Sequence, residues 1–449
     1  MPLALINVAD GLRLFFNKLN DNWKKCISIY IFISSIVVCF YINSLDVLIT
    51  KEEVQDDFYQ NYADYVRFND SNLYRTNTIS VDFIYTNKVG NIREYKTTMF
   101  ASLFNKNYRY AYNNVFKNPL IYDKLFFISS NNILFQMYMG EKYIITPNTY
   151  DRFYNKINQI EDINVYRNDY VLPIGYATSS KISENDFDML SFPDDVVNML
   201  GGVITENETN KTIIKSKKLT KEDFTIEDSF NLEYTKKDDC YEVIAEDNAI
   251  MKIKLNRELK EDELLFISFN VEEGEKTLSI SINNERNELT RKNFLYKNGH
   301  TYFTYYLLDG NLDVIFNSGK FIISNIESCI IDLNYLESIN KTVTPFMIDQ
   351  EQTKGDCIIG NIDVVEDNSY FLLSIPYDKG FTIFVDNQIT PYQIANKSFI
   401  GFEIPRGNHN IKIIYEAPYK KFGIISSIIG IIMFISLIVY ENKKSKNNK

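Results

Sequence analysis

Most of the chain alternates between short apolar stretches and polar turns, but two long uncharged stretches break this pattern. Residues 26–45 and 422–440 each hold roughly 20 residues without a charge, the length with which a helix crosses a bilayer core. Trp23, Lys24 and Lys25 precede the first stretch, and a lysine-rich tail at 441–449 follows the second. Because lysine is enriched on cytoplasmic flanks, the pattern predicts two transmembrane helices, cytoplasmic termini and a large outer region.

Other interpretations exist for both stretches. The first resembles a cleaved signal peptide in being apolar, but it is preceded by a long segment and lacks an A-x-A cleavage pattern. The second has the composition of a buried core helix, but its length and the tail at 441–449 favour a membrane span. Residues 1–25 are partly amphipathic, which predicts a cytoplasmic or interfacial segment that contacts lipid.

The first part of the outer region, residues 51–205, predicts a mixed α/β domain. Residues 80–86 read as a strand, and 129–140 read as a short helix that ends at a glycine and leads into a strand at 141–147. Residues 191–202 carry a proline and two acids in the first turn and end at Gly201-Gly202, which is typical of a helix.

Two β-rich units follow. Residues 206–340 contain several short apolar stretches separated by turn signals, which predict a β-sandwich domain. Asp309-Gly310 predicts a tight hairpin there. Residues 341–419 predict a second β domain close to the membrane, with a hairpin at Asp386-Asn387 and a turn at Gly407-Asn408. The predicted fold class is therefore α+β and membrane-anchored, with a mixed α/β part followed by β-sandwich-like units.

Composition narrows the possible functions. The 449 residues carry a net charge of -11, which argues against a nucleic-acid partner. The 32 tyrosines and 32 phenylalanines can stack on sugars, although a strand-rich core accounts for them as well. Three of the five cysteines, Cys240, Cys329 and Cys357, lie in the outer region, where a disulfide and buried single thiols both remain open.

Catalytic and metal-binding signatures are missing from the sequence. It contains no G-x-S-x-G, P-loop, G-x-G-x-x-G, H-E-x-x-H or CxxC motif. The two histidines, His300 and His409, each follow a predicted turn and read as strand-entry residues. The sequence thus predicts no catalytic residue, no metal site and no cofactor.

Two groups of residues resemble the bacterial YfhO family of multi-pass membrane proteins. The first group has the family's G-x-K-Y segment followed by its Y-x-N-x-x-x-L-P-x-G-Y segment; it comprises Gly140, Lys142, Tyr143, Tyr166, Asn168, Leu172, Pro173, Gly175 and Tyr176. The second group resembles the closing segment of the family and comprises Pro376, Asp386, Pro405, Gly407 and His409. The roles of these residues are structural or unknown.

The resemblance implies a function in the cell envelope. The family is similar to GT-C glycosyltransferases, which use lipid-linked donors and place their catalytic acid among earlier spans. This chain starts just before the last of those spans, so the resemblance implies a truncated or split member without the catalytic part. Whether the chain is an enzyme stays uncertain.

Three functional hypotheses follow. The outer domain assists glycosyl transfer to an envelope polymer together with a multi-span membrane partner, or it binds polysaccharide or a lipid-linked sugar on its own. A stand-alone hydrolase is the third, and no motif supports it.

Overall fold

The computed structural model describes residues 20–45, 74–78, 105–119, 131–150, 152–160, 162–283, 285–353 and 355–447. The chain divides into two compact units, residues 1–62 with 90–92 and residues 63–89 with 93–449. The described part of the first unit is one helix, α1 (Asp21–Leu45). All other described elements belong to the second unit. The predicted strand at 80–86 and most of the predicted segment 1–25 lie outside the described residues.

A helix-and-sheet part opens the second unit. Its four helical segments are α2 (Lys106–Tyr110, continued by a π-helical turn at Ala111–Val115), α3 (Ile133–Met139), α4 (Glu184–Asp188) and α5 (Asp194–Met199). Its strands are β1 (Arg75–Thr78), β2 (Glu141–Thr146), β3 (Asn155–Ile160), β4 (Ile163–Arg167), β5 (Gly175–Thr178), β6 (Lys181–Ser183) and β7 (Val203–Thr205). The helix and the strand predicted around Gly140 are confirmed as α3 and β2, and α5 confirms the helix predicted at 191–202.

A four-stranded sheet of order β1-β2-β4-β3 forms beside α3. Strand β1 is parallel to β2, while β4 is antiparallel to both β2 and β3. Helix α3 is buried along its whole length, and its aromatic side chains pack against the π-helical turn at Ala111–Val115 and against Phe399. Phe135 meets Tyr112 edge-on at 5.5 Å, and Tyr138 lies 4.7 Å from Phe399. The buried α3 is therefore the centre of the largest hydrophobic cluster.

A nine-stranded antiparallel sheet occupies residues 217–332. It contains β8 (Lys217–Leu219), β9 (Phe224–Lys237), β10 (Cys240–Leu255), β11 (Glu263–Val271), β12 (Leu278–Ile282), β13 (Glu285–Leu289), β14 (Tyr302–Leu307), β15 (Asn311–Phe316) and β16 (Gly319–Asp332). Strand β10 pairs with β16 through residues 240–245 and with β15 through 249–254. This change of partner divides the sheet into two halves that enclose their own apolar core, as a β-sandwich does.

The strands on either side of Asp309-Gly310 do not pair with each other, so the predicted hairpin is wrong. Strands β14 and β15 flank this turn, but β14 pairs with β11 while β15 pairs with β10 and β12. The turn instead carries the chain across the sheet, and the amide of Leu255 donates to the carbonyl of Gly310 at 2.8 Å. The local sequence determines where the chain changes direction, whereas the packing of the two sheet halves determines which strands pair.

Two five-stranded sheets follow helix α6 (Leu333–Asn340) and share one core. Their additional strands are β17 (Thr344–Pro345), β18 (Met347–Ile348), β19 (Cys357–Val364), β20 (Ser369–Pro376), β21 (Phe381–Val385), β22 (Gln388–Thr390), β23 (Gln393–Ala395), β24 (Phe399–Ile404) and β25 (Gly407–Tyr415). One sheet has the order β17-β5-β20-β24-β23 and the other β18-β19-β25-β21-β22. Strand β5 thus joins the earlier part of the chain to the later one.

The hairpin predicted at Asp386-Asn387 is confirmed. Strands β21 and β22 pair directly across these two residues. Asp386 and Asn387 have φ values of 50° and 66°, the left-handed conformations of a two-residue hairpin turn. Asp and Asn adopt this region more readily than other residues with a side chain, so the local sequence specified both the turn and the pairing.

The fold class predicted from the sequence needs a correction at both ends. Residues 26–45 are helical in α1, and residues 422–440 are helical in α7 (Lys420–Asn447). No helix among the described residues, however, is both long enough and apolar enough to cross a membrane. The prediction of two transmembrane helices is therefore wrong. That prediction rested on the length of the two uncharged stretches.

The second unit is mostly β-sheet, with a β-sandwich-like body. This also corrects the balance of the predicted α+β class, while the part expected to be mixed does contain both helices and strands. The proposed domain boundaries at 205/206 and 340/341 stay predictions.

A buried arginine connects the sheets. Arg75 on β1 donates through Nη1 to the carbonyl of Met139 at 2.5 Å and to Ser374 Oγ at 2.8 Å, and through Nη2 to the carbonyl of Ser374 at 2.8 Å. Burial lowers the pKa of Arg75 to about 10, and the nearby carboxylate of Glu141 opposes that shift. The guanidinium therefore stays charged at neutral pH and ties β1, the end of α3 and β20 together.

Replacing this arginine tests the connection. Arg75→Leu removes three hydrogen bonds and leaves Glu141, which is fully buried, without its nearby cation. Breaking a buried charged pair on one side costs about 3–5 kcal/mol, so we expect a loss of that size in the free energy of unfolding by urea titration. Arg406→Leu, at an exposed position, should change it by less than about 0.5 kcal/mol. Equal effects of the two substitutions would contradict the structural role of Arg75.

Candidate functional site

The first group of motif residues begins where α3 ends and β2 starts. Gly140 terminates α3 with φ 69°, and its carbonyl accepts hydrogen bonds from the amides of Arg75 at 2.8 Å and Lys142 at 3.0 Å. A Cβ atom at Gly140 would lie 3.0 Å from the carbonyl oxygen of Leu172. Glycine is therefore required here for both conformation and space, and it aligns β1 beside β2.

The second motif segment closes on the first. The amide of Asn168 donates to the carbonyl of Lys142 at 2.7 Å, and the amide of Leu172 donates to the carbonyl of Met137 at 2.9 Å. Tyr166 is buried, and its hydroxyl accepts from the amide of Tyr150 at 3.0 Å. The two segments, about 20 residues apart in the sequence, thus form one local structure.

Three of these motif residues line a cavity of about 300 Å³, which we name the Asn168 pocket. Its polar side chains are Tyr74, Lys142, Asn168, Asp169 and Asn340. Its apolar wall consists of Val171, Pro173, Val343, Pro345, Phe346 and Met347. Polar groups make up most of the exposed lining, which suits a polar ligand.

The cation and the aromatic ring of the pocket face each other. Lys142 Nζ lies 4.1 Å from the centroid of the Tyr74 ring, within the range of a cation–π interaction. Because Tyr74 directly precedes Arg75 on β1 and Lys142 directly follows Glu141 on β2, the parallel pairing of these strands brings the two side chains together. The buried Arg75 and Glu141 thereby position the wall of the pocket.

Two amide side chains leave hydrogen-bonding groups unpaired at this pocket. Asn168 is fully buried and accepts from the amide of Tyr170 at 3.0 Å, but its Nδ2 has no partner among the described residues. Asn340 donates to the carbonyl of Asp169 at 3.3 Å, and its Oδ1 is likewise unpaired there. An unsatisfied buried polar group costs about 1–3 kcal/mol. Each of these two pocket-lining residues therefore has one hydrogen-bonding atom that the described residues leave unpaired.

Asp169 is held in place by its neighbours. Arg167 donates to both carboxylate oxygens, at 2.6 and 3.0 Å, and Asn155 Nδ2 donates at 2.6 Å. The carboxylate is thus pre-oriented at the pocket rim and can still accept further hydrogen bonds. A carboxylate, two amides and an ammonium on a tyrosine ring together match a hydroxyl-rich ligand.

The remaining motif residues of the first group are buried or closely packed. Tyr143, Leu172 and Tyr176 are buried, and a Cβ atom at Gly175 would lie 3.0 Å from the ring of Phe346. Gly175 therefore lets β5 pass close to the pocket wall.

The second group of motif residues lies in another place. His409 Nδ1 is 2.7 Å from Asp386 Oδ2, and His409 Nε2 is 3.0 Å from the carbonyl of Pro405. Asp386 Oδ1 accepts from the amide of Asn410 at 2.9 Å. These bonds fasten the β21–β22 turn to β25, and Gly407, with φ 133°, begins that strand. None of these residues lines the Asn168 pocket, and Pro376 ends β20.

Sequence reasoning missed three of the five polar residues that line the pocket. Tyr74, Asp169 and Asn340 come from separate elements that no local pattern connects. Asp169 directly follows Asn168, so the motif could have indicated it. Tyr74 and Asn340 become neighbours of the motif only through tertiary contacts.

The other candidate side chains in the described part of the chain are His300 and three cysteines. His300 is buried, its Nε2 lies 2.8 Å from Asn287 Oδ1, and burial lowers its pKa to about 4. Cys240, Cys329 and Cys357 are free thiols, and no cluster of metal-ligating side chains occurs among the described residues.

Sequence comparison identifies the family. The profile described as "Bacterial membrane protein YfhO" matches residues 3–427. The chain belongs to the YfhO family. A relative from Bacillus subtilis (strain 168), "Uncharacterized protein YfhO", is 24% identical over 319 residues, which are 68% of this chain. The alignment covers 35% of that relative, so the chain spans about a third of its length.

Structure comparison returns carbohydrate-binding modules. A low-affinity xylan-binding module from Roseburia intestinalis covers 27% of this chain and 98% of its own, at 14% identity and a TM-score of 0.20. A mutant of a family 29 carbohydrate-binding module covers 24% of this chain and 82% of its own, at 12% identity and a TM-score of 0.17. Scores this low carry no argument about the function of this chain.

The strained glycine gives a testable prediction. Gly140→Ala must adopt a positive φ and crowd Leu172, which should cost about 2–3 kcal/mol. Gly355 also has a positive φ, of 53°, but nothing lies within 4 Å of an added Cβ atom, so Gly355→Ala should cost about 1 kcal/mol. Thermal and urea unfolding of the two variants measure the difference. A cost for Gly140→Ala no larger than that for Gly355→Ala would show that the close approach to Leu172 is unimportant.

The Asp386–His409 contact predicts a pH dependence. The hydrogen bond from His409 and the amide of Asn410 hold the pKa of Asp386 below its usual range. A carboxyl with a lowered pKa in the folded state stabilises the fold above its unfolded pKa, and this contribution is lost as the pH falls through the folded value.

Asp386→Asn should therefore lower the free energy of unfolding at pH 7, by less than about 1 kcal/mol because the carboxylate is half exposed. The difference from the wild type should shrink below about pH 4. Urea titrations at several pH values measure it, with Asp363→Asn on the neighbouring β19 as the control. A difference that stays constant with pH would contradict the assignment.

Proposed function

We propose that this chain binds a sugar-containing ligand of the cell envelope in the Asn168 pocket and presents it on the outer face of the membrane. A multi-span membrane partner then carries out glycosyl transfer to an envelope polymer. The observation that carries the binding step is the pair of unpaired amide groups, Asn168 Nδ2 and Asn340 Oδ1, on two residues that line a cavity to which three family-motif residues contribute. A sugar ring with neighbouring hydroxyls supplies both an acceptor and a donor.

The other side chains support the same ligand class. Asp169 accepts from hydroxyls, and Lys142 donates to hydroxyl or anionic oxygens. Pro173 and Phe346 provide an apolar surface for the carbon face of a ring. The volume of about 300 Å³ is at the low end for small-ligand sites, which favours one or two sugar units over a long polymer segment.

The pocket contains binding groups without a catalytic arrangement. The described residues that line it include one carboxylate, Asp169, which is paired with Arg167, while glycoside chemistry uses two carboxylates across the reacting bond. This favours an accessory binding role over hydrolysis. Membership of a membrane-protein family supports an action at the cell membrane.

Substitutions on the pocket wall test the binding step. Asn340→Ala removes the unpaired carbonyl, and Lys142→Met keeps most of the side-chain length while removing the charge. Each should weaken binding about tenfold or more, because one hydrogen bond to a charged or desolvated group is worth about 1.5–3 kcal/mol. The measurement is a bacterial glycan array with the purified chain, followed by calorimetry on the strongest glycan.

Asn334→Ala is the matched control, since Asn334 lies on the same helix α6 but donates to Asp262 at 2.9 Å, away from the pocket. Its affinity should stay within about twofold of the wild type. Flat array signals, or equal affinities for all three variants, would remove the basis for the proposal.

The partner is tested separately. Chemical cross-linking in bacterial membranes, followed by purification of the tagged chain, should recover a multi-span membrane protein. Glycan binding without any such protein favours the second candidate function, a stand-alone polysaccharide-binding module.

A further inference from the structure

The two ends of the nine-stranded sheet meet without backbone pairing. Apart from the branches β8 and β9, the sheet runs from β13 through β12, β15, β10, β16 and β11 to β14. Among the described residues, no backbone hydrogen bond joins β13 to β14. Side chains of β13 bond to the backbone of β14 instead. We name this junction the Glu285 seam; it comprises Glu285 and Asn287 on β13 and Thr304 and Tyr306 on β14.

Asn287 forms one step of the seam. Its Nδ2 donates to the carbonyl of Thr304 at 2.9 Å, and its Oδ1 accepts from the amide of Thr304 at 3.5 Å. His300 Nε2 lies 2.8 Å from the same oxygen. Asn287, Thr304 and His300 are all buried, where polar groups need hydrogen-bond partners. A neutral amide therefore takes the place of strand pairing at this step.

Glu285 forms the other step, two residues earlier on β13. Its Oε2 accepts from the amide of the buried Tyr306 at 3.1 Å. Because Tyr306 lies two residues after Thr304 on β14, the two steps have the direction of antiparallel strands and their two-residue period. At this step, however, the bridging group can carry a negative charge.

The groups that face Glu285 do not balance such a charge. In the part of the chain that the structure describes, no cation acts on its carboxyl. Its own strand carries Arg286 and Glu288, which pair with each other at 2.6 Å. The ionisable groups near the carboxyl from the other elements are the tyrosines Tyr150, Tyr154, Tyr305 and Tyr306.

Two of these tyrosines direct their hydroxyls elsewhere. Tyr154 donates to Gln136 Oε1 at 2.6 Å, and Tyr305 donates to the carbonyl of Ile280 at 2.9 Å. Burial raises the pKa of Glu285 to about 8, and the single hydrogen bond from the amide of Tyr306 opposes this shift. The neutral carboxyl suits the closed seam, whereas a carboxylate gains by reaching water.

We propose that Glu285 is a proton-operated latch on the seam: the neutral carboxyl holds β13 against β14, and the carboxylate opens the two ends of the sheet to water. Opening at the seam breaks the side-chain bonds of Glu285 and Asn287, whereas separating β13 from β12 would break a backbone ladder. The sheet therefore opens at the seam before it opens elsewhere. The proposal is independent of sugar binding in the Asn168 pocket.

The first test is hydrogen exchange of the full chain between pH 5 and pH 9, followed by mass spectrometry. A group whose pKa is raised in the folded state stabilises the fold at low pH, and this contribution is lost as the pH rises towards the folded value. After correction for the intrinsic exchange rate, exchange in residues 302–307 of β14 should rise about tenfold from pH 6 to pH 7 and level off above about pH 8. Residues 311–316 of β15, inside the sheet, should show a smaller rise.

The second test replaces the titrating group. Glu285→Gln keeps an acceptor for the amide of Tyr306 but cannot ionise, so the additional pH dependence of exchange in residues 302–307 should disappear. The matched control is Glu288→Gln on the same strand, where the carboxylate pairs with Arg286. This control should keep the pH dependence of the wild type. Circular dichroism establishes that both variants are folded.

Three results would overturn the proposal. One is exchange in residues 302–307 that follows only the intrinsic rate as the pH rises. Another is an equal rise in residues 311–316, because the carboxylate would then destabilise the whole sheet instead of the seam. The third is the same pH dependence in Glu285→Gln as in the wild type. The comparison of the two strands uses the wild type alone, so it decides the matter even if Glu285→Gln does not fold.

Discussion

The buried guanidinium of Arg75 is the constraint on which the arrangement around the Asn168 pocket depends. It is charged, it lies beside Glu141, and it must satisfy its donors within the protein because water does not reach it. Met139 and Ser374 supply the acceptors, and they come from the end of α3 and from β20. The hydrogen bonds of this one side chain therefore hold together elements that are up to 299 positions apart in the sequence.

The pocket follows from this arrangement. Tyr74 and Lys142 are the immediate neighbours of Arg75 and Glu141, so the parallel pairing of β1 and β2 places them side by side at the surface. Gly140 permits the sharp passage from α3 to β2, and its carbonyl anchors both strands. The motif segment around Asn168 then closes the cavity from the other side.

The sequence by itself determined the local features. The helix that ends at Gly140, the strand after it and the hairpin at Asp386-Asn387 follow from turn residues and short-range patterns, whose energies act within a few residues. The family resemblance likewise located Lys142, Asn168 and Pro173 in advance of the pocket that they line. The local pattern was misleading at both ends of the chain, because the uncharged stretches predicted membrane spans that the described helices do not provide.

The tertiary structure decided which elements meet. Asp309-Gly310 forms a turn as expected, yet β14 and β15 pair elsewhere, since strand partners are chosen by the burial of whole sheet faces. Tyr74, Asp169 and Asn340 complete the Asn168 pocket for the same reason: long-range packing brings together residues that no local pattern relates.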